Sequence, residues 1–159
     1  MDLTDAVLLA QKLMKEHKLD EWKLKFDSKK SRLGACRHYS KEIILSLPYV
    51  EINEENVIRN VILHEIAHAL AGRDNGHNII WKRIASHIGA NPERCTRGAE
   101  KPDGKWVLIC NRCEYKTYMY RRPKRKYGFV DCCNKHNSGR YAEKYKLELK
   151  LNRKIIGLE

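Results

Sequence analysis

Asn53-Glu54-Glu55-Asn56-Val57-Ile58-Arg59-Asn60-Val61-Ile62-Leu63-His64-Glu65-Ile66-Ala67-His68-Ala69-Leu70-Ala71-Gly72 is the stretch on which the fold turns. Val57, Val61, Ile62, Ile66, Ala69 and Leu70 recur at helical spacing. Asn53 is a natural start, and Glu54 and Glu55 fall in the first turn, where the helix dipole favours negative charge. Ile52 and Val57 can staple the entry, and Gly72 is a natural stop. The pattern predicts one strong helix with apolar faces.

That helix carries His64-Glu65-Ile66-Ala67-His68. Residues i and i+4 share one helical face, so both imidazoles can converge on one metal ion. Glu65, next to His64, can reach a water beside that ion, take its proton and pass it to a leaving amine. This is the zincin arrangement for peptide hydrolysis. A chance Glu between two surface histidines is the bland reading, and the mid-helix context disfavours it. Zinc with an open fourth position needs a third protein ligand. His77 is the best candidate, since it follows the glycine-containing turn Arg73-Asp74-Asn75-Gly76 and opens the next helix. Asp74 and His87 are weaker candidates, and His17 and His38 read as surface histidines.

Outward from this centre, a helix is expected from about His77 to His87, with Ile80, Trp81, Ile84 and Ile88 apolar. On the other side lie three strand candidates: Trp22 to Asp27, Leu33 to Tyr39, and Glu42 to Leu47 before Pro48. Before them Leu3, Ala6, Val7, Ala10, Leu13, Met14 and His17 recur at helical spacing, with Asp2 as the cap. The fold class is α+β: helices packed on a small antiparallel sheet.

The chain has 159 residues and a formal net charge of +12, unevenly placed. Residues 1–103 hold 17 basic against 15 acidic side chains, whereas residues 104–159 hold 15 against 5. Such clustering suggests a polyanionic partner for the C-terminal third, nucleic acid first. No stretch approaches the roughly 18 apolar residues of a membrane span, so no membrane partner is expected. The polar start Met1-Asp2-Leu3-Thr4-Asp5 does not read as a secretory signal. An intracellular location is expected, cytoplasmic or, in a host that has one, nuclear. There, six cysteines favour metal ligation over disulfides.

Residues 91–104, with Pro92, Gly98, Pro102 and Gly104, read as a linker. Beyond it come strand candidates near 105–109, 115–120, 127–131 and 140–149. Cys110-Asn111-Arg112-Cys113 is a C-x-x-C knuckle, followed by Cys132-Cys133-Asn134-Lys135-His136. Two knuckles separated by a β-hairpin make a zinc ribbon, whose metal supplies the folding energy a small core lacks. Cys133 and His136 keep the two-residue gap, which gives Cys110, Cys113, Cys133 and His136 as the ligands of a structural zinc. The rival set uses Cys132 in place of Cys133 or of His136. Cys36 and Cys95 read as buried or incidental. Between the knuckles Arg121, Arg122, Lys124, Arg125 and Lys126 can neutralise phosphates, and Tyr118 and Tyr120 can stack on unpaired bases. That mixture suits single-stranded or distorted DNA. A solvated hairpin is the bland alternative.

His64-Glu65-Ile66-Ala67-His68-Ala69-Leu70, then Gly76-His77, then Trp81-Lys82, resembles the SprT-like metallopeptidase family, which includes the Spartan-type proteases that act on DNA–protein crosslinks. Arg32-Leu33-Gly34-Ala35-Cys36 followed by Ile43-Ile44-Leu45-Ser46 resembles the family's strand pair ahead of the active-site helix. The resemblance spans roughly residues 1–140. It implies a zincin-like minimal metalloprotease domain over 1–90, a zinc ribbon over 105–145, and a strand or tail over 146–159. It implies His64, His68 and His77 as the ligands of a catalytic zinc and Glu65 as the base. The family often has a small residue and a proline after the third histidine, where Asn78-Ile79-Ile80 stands here, so the substrate cleft differs at that point. The expected function is a zinc endopeptidase recruited to DNA. The rivals are a non-proteolytic nucleic-acid-binding module with two structural metals, and a metallopeptidase whose substrate has nothing to do with DNA.

Overall fold

In a computed structural model the chain divides into two units, Met1–Pro102 and Asp103–Glu159. The structure describes residues 1–93, 98–113, 115–123, 135–140 and 142–152. The first unit runs α1 (Leu3–Glu16), β1 (Lys23–Asp27), β2 (Gly34–Arg37), β3 (Glu42–Ser46), α2 (Leu47–Ile52), α3 (Glu55–Ala71) and α4 (Ile79–His87). Asp2 caps α1 by accepting from the Thr4 amide at 2.7 Å, and Ala6, Ala10, Leu13 and Met14 turn inward from it. Helix α3 buries Ile58, Val61, Ile62, Leu63, Ile66, Ala67 and Ala71, most of its circumference. It is the central helix, packed on α1, α4, β2 and β3. Each fully buried Ile, Val or Leu contributes about 1.5–3 kcal/mol, so α3 is held chiefly by packing. Gly72 ends it at φ +85°, a conformation open to glycine.

The three strands form one sheet in the order β1-β3-β2. It is mixed, which corrects the expected antiparallel arrangement: β2 and β3 form an antiparallel pair, while β1 runs parallel to β3. The reason is the crossover at residues 28–33, which carries the chain past the central position before β3 fills it. All five residues of β3 are buried, as befits a central strand.

Two boundaries also differ from expectation. The run ending at Leu47 is a strand only to Ser46; Leu47–Ile52 is helical, with Pro48 in the first turn, where its missing N–H costs nothing. The strong helix begins at Glu55 rather than Asn53. Asn53 is buried, and its side chain bonds Tyr49 and Glu100 instead of capping. Helix α4 starts at Ile79, capped by Asn78.

The second unit contains β4 (Trp106–Cys110), β5 (Lys116–Met119) and β6 (Leu147–Leu151), an antiparallel sheet in the order β5-β4-β6, with a short 3-10 turn at Glu143–Tyr145. Its small core is Leu108, Cys110 and Leu147, with Cys113, Tyr115, Met119, Tyr145 and Leu149 against it. The strand expected near 127–131 lies outside the described residues. The one expected at 140–149 is β6, displaced toward the C-terminus because the 3-10 turn occupies its first half. Among the described residues no helix is long and apolar enough to cross a membrane.

Candidate metal centre

His64 and His68 stand one turn apart on α3. The chain must reverse after Gly72 for His77 to join them, and two asparagines fix that reversal. Asn75 donates to the Ala71 carbonyl at 2.7 Å, closing the end of α3. Asn78 donates to Asn75 Oδ1 at 2.8 Å and accepts from the amides of Ile80 and Trp81 at 3.0 and 3.1 Å, opening α4. His77 sits between these two anchors.

The result is three imidazoles facing one point. His77 Nε2 lies 3.0 Å from His64 Nε2 and 3.2 Å from His68 Nε2. Nitrogens bound tetrahedrally at roughly 2.0–2.1 Å would stand about 3.3 Å apart, so the triad fits a zinc ion with little movement. Among the described residues these three form the sole cluster of three or more ligand atoms within 4.8 Å of one another. Asp74 and His87 do not join it. Burial, then the neighbouring His68 and His77, lowers the pKa of His64 to about 4; burial, then His77 and His38, does the same to His68. Both rings are neutral at pH 7, the state a metal ligand requires.

The floor of the triad is Trp81, fully buried. Its ring centroid is 4.7 Å from His64, 5.1 Å from His68 and 4.6 Å from His77. Beside the triad lies Glu65, buried, and not one of its ligand atoms. Burial raises its pKa to about 8, against the opposing pull of the Arg32 charge. A dication beside it would favour the carboxylate.

Cys36 is near this carboxylate, and burial followed by the Glu65 charge pushes its thiol up to about 12, so it is an unreactive neutral thiol. His38, 3.8 Å from the Cys36 sulfur at its Nε2, packs edge-on to Trp22. Motif reading singled out the three histidines that the fold brings together and the buried Glu65 next to His64. It missed Asn75 and Asn78, whose signal was an Asn-x-x-Asn spacing across the turn.

In the second unit, Cys110 ends β4 and its amide donates to the Tyr115 carbonyl at 3.0 Å, closing a turn around Cys113. The Arg112 amide donates to the Cys110 sulfur at 3.4 Å. His136 stacks on Tyr145 at 5.2 Å. Arg122 lies over the Trp106 ring at 5.5 Å, and Tyr118 is exposed on β5. Tyr120 and Arg121 follow β5. Lys124, Arg125, Lys126, Cys132, Cys133 and Cys95 lie outside the described residues.

No curated protein and no solved structure matches the chain. The model of the SprT-like family matches residues 4–101, which take in the triad, Glu65, Trp81 and the strands ahead of α3. With that match over more than half its length, and with the histidine cluster it encloses, the chain belongs to the SprT-like family.

Proposed function

We propose that this chain is a zinc-dependent endopeptidase, recruited to DNA by its basic second unit and cutting proteins bound or crosslinked there. The observation that carries the peptidase reading is the convergence of three imidazoles, two of them held neutral by burial, beside a buried carboxylate that is not itself a ligand. Three protein ligands leave a coordination position open, as a catalytic site requires and a structural one avoids. A zinc ion held by His64, His68 and His77 supplies Lewis acidity toward water and a peptide carbonyl. Glu65 moves the proton: its carboxylate takes one from the attacking water and returns it to the departing amide nitrogen. Strand β2, packed on α3, is an edge strand, to which an extended peptide backbone can pair.

The same reading puts a structural zinc in the second unit, on Cys110, Cys113, Cys133 and His136, with Cys132 as the alternative. Supporting it, the Arg112 amide points at the Cys110 sulfur, and His136 Nε2 is buried with no hydrogen-bond partner among the described residues. Buried polar atoms are nearly always satisfied, so this one calls for a ligand. The recruitment to DNA rests on the basic excess after residue 103 and on the aromatic and cationic side chains Tyr118, Tyr120, Arg121 and Arg122. An intracellular setting, cytoplasmic or nuclear, suits Cys36, Cys110 and Cys113, none of which is in a disulfide.

Elemental analysis paired with cleavage of a DNA-bound protein tests this. About two zinc ions per chain are expected, with cleavage that depends on DNA, weakens with salt, and vanishes in Glu65→Gln while zinc is kept. Hydrolysis indifferent to DNA would remove the recruitment part. Two bound metals and no hydrolysis of any protein would leave a binding module.

A further inference from the structure

Gly34 opens β2, opposite Leu45 in the register with β3. Its backbone lies outside the left-handed region, so no conformational demand reserves the position for glycine. Space does. A Cβ at Gly34 would stand 2.8 Å from Glu65 Oε1, 2.9 Å from Glu65 Cγ and 3.2 Å from Glu65 Cδ. The backbone of β2 is therefore one wall of the pocket that holds the Glu65 side chain.

Neither wall has room to retreat. Glu65 projects from α3, flanked in sequence by Leu63, Ile66 and Ala67, all in the core. On the other side, the approach to β2 is tied down. Ser46 donates through its amide to the Leu33 carbonyl and through its hydroxyl to the Lys29 carbonyl, each at 2.8 Å. Tyr49 donates to the Lys30 carbonyl at 3.2 Å, and Arg32 is ion-paired with Asp27. The flexible part between these two fixed backbones is the Glu65 side chain. Burial and the Arg32 charge are what act on its carboxyl; among the described residues no hydrogen bond adds to them. A carboxylate without a hydrogen-bonded orienter takes its direction from packing, and here the packing surface is the bare Cα of Gly34.

We propose that Gly34 is a positioning residue for the general base: the absence of a side chain at this point of the edge strand lets the Glu65 carboxylate lie where it meets the attacking water. This rests on the peptidase reading above for its consequence, though not for its geometry. Gly34→Ala would push the carboxylate aside while leaving the triad and the fold in place. A displacement of about 1 Å of a catalytic group costs on the order of 10²-fold in rate.

The contact and its consequence are tested separately. Thermal melting is compared for wild type, Gly34→Ala, Glu65→Ala and the double variant. The expected result is a lowered Tm for Gly34→Ala in the Glu65 background and little or none once Glu65 is truncated. If Gly34→Ala alone fails to fold, the double variant should fold. An equal loss in both backgrounds, or a double variant that also fails to fold, would overturn the proposal. In cleavage, Gly34→Ala should lower kcat by about 10²-fold with KM nearly unchanged, with zinc content by elemental analysis as in wild type. Full kcat with zinc bound would also overturn it. A chain that cleaves nothing, with wild type and Glu65→Gln alike, would sink the peptidase reading instead, and the melting cycle would still decide whether Gly34 sets the position of Glu65.

Discussion

The indole of Trp81 meets the imidazole of His77 at 4.6 Å between ring centroids, at 73°. Four positions separate them in sequence, so the cap at Asn78 that starts α4 sets both at once. Because the same indole also touches His64 and His68, one buried side chain backs all three histidines of the cluster. Residues that orient ligands from behind typically cost 10–100-fold in metal affinity when removed. Trp81→Leu should weaken zinc binding by about that range, and Trp81→Phe by less, because a ring still fills the floor. Chelator competition measures this. Equal affinity in both variants would mean the triad holds its own shape.

His77→Ala should abolish tight binding at the first unit, lowering zinc from about two ions to about one per chain. Asp74→Asn and His87→Ala should leave the count unchanged, because neither belongs to the cluster. Elemental analysis after dialysis against a weak chelator separates these outcomes. A third metal-retaining variant at His77 would mean that another side chain completes the site.

The centre was legible because its signals are local. The i, i+4 spacing of His64 and His68 needs only that α3 be a helix, and the apolar periodicity of α3 is strong. The reversal that returns His77 was legible as a glycine-containing turn, though not the two asparagines that hold it. What eluded sequence reading is what tertiary contacts decide. Asn53 looks like an N-cap but is drawn inward by Tyr49 and Glu100, so the cap falls one residue later, on Glu54. The direction of β1 is set by a crossover that no strand pattern encodes. Gly34 reads as a weak point in a strand until the helix across from it places Glu65 there.

Asn53 supplies another prediction. Its Nδ2 donates to the Tyr49 carbonyl at 2.9 Å and the Glu100 carbonyl at 3.0 Å, and its Oδ1 accepts from the Glu100 amide at 2.7 Å. It fastens Glu100 to the turn ahead of α3. Removing three side-chain hydrogen bonds should cost about 2–4 kcal/mol in Asn53→Ala, chiefly at the Glu100 amide and carbonyl, since the Tyr49 carbonyl keeps the Asn53 amide. Zinc affinity should not change, since His64 lies roughly 15 Å farther along the chain at helical rise. Denaturant midpoints and chelator competition check the pair of expectations. A loss of affinity as large as the loss of stability would mean that the two ends of α3 are coupled.

Glu42 contributes a dependence on acid. It begins the central strand, is buried, and is paired with Lys25 and Arg37. Arg37 is its direct register partner across the sheet, and Lys25 lies two residues beyond its partner on the other side. The Lys25 hydrogen bond, then that of Ser40, hold its carboxyl below the usual range, with the Lys25 and Arg37 charges adding to the effect. A carboxyl with a depressed folded pKa binds its proton more readily in the unfolded chain. Its contribution is therefore complete above the unfolded value of about 4.3 and is lost as pH falls through the folded one. Lys25 and Arg37 are themselves half-exposed, so salt should shrink the effect. Glu42→Gln should be less stable than wild type at pH 7, and the gap between the two denaturant midpoints should close as pH is taken below about 4. The other carboxylates titrate in both proteins and cancel in the difference. A gap as wide at pH 3 as at pH 7 would show that Glu42 acts by shape and hydrogen bonding alone, with its charge contributing nothing.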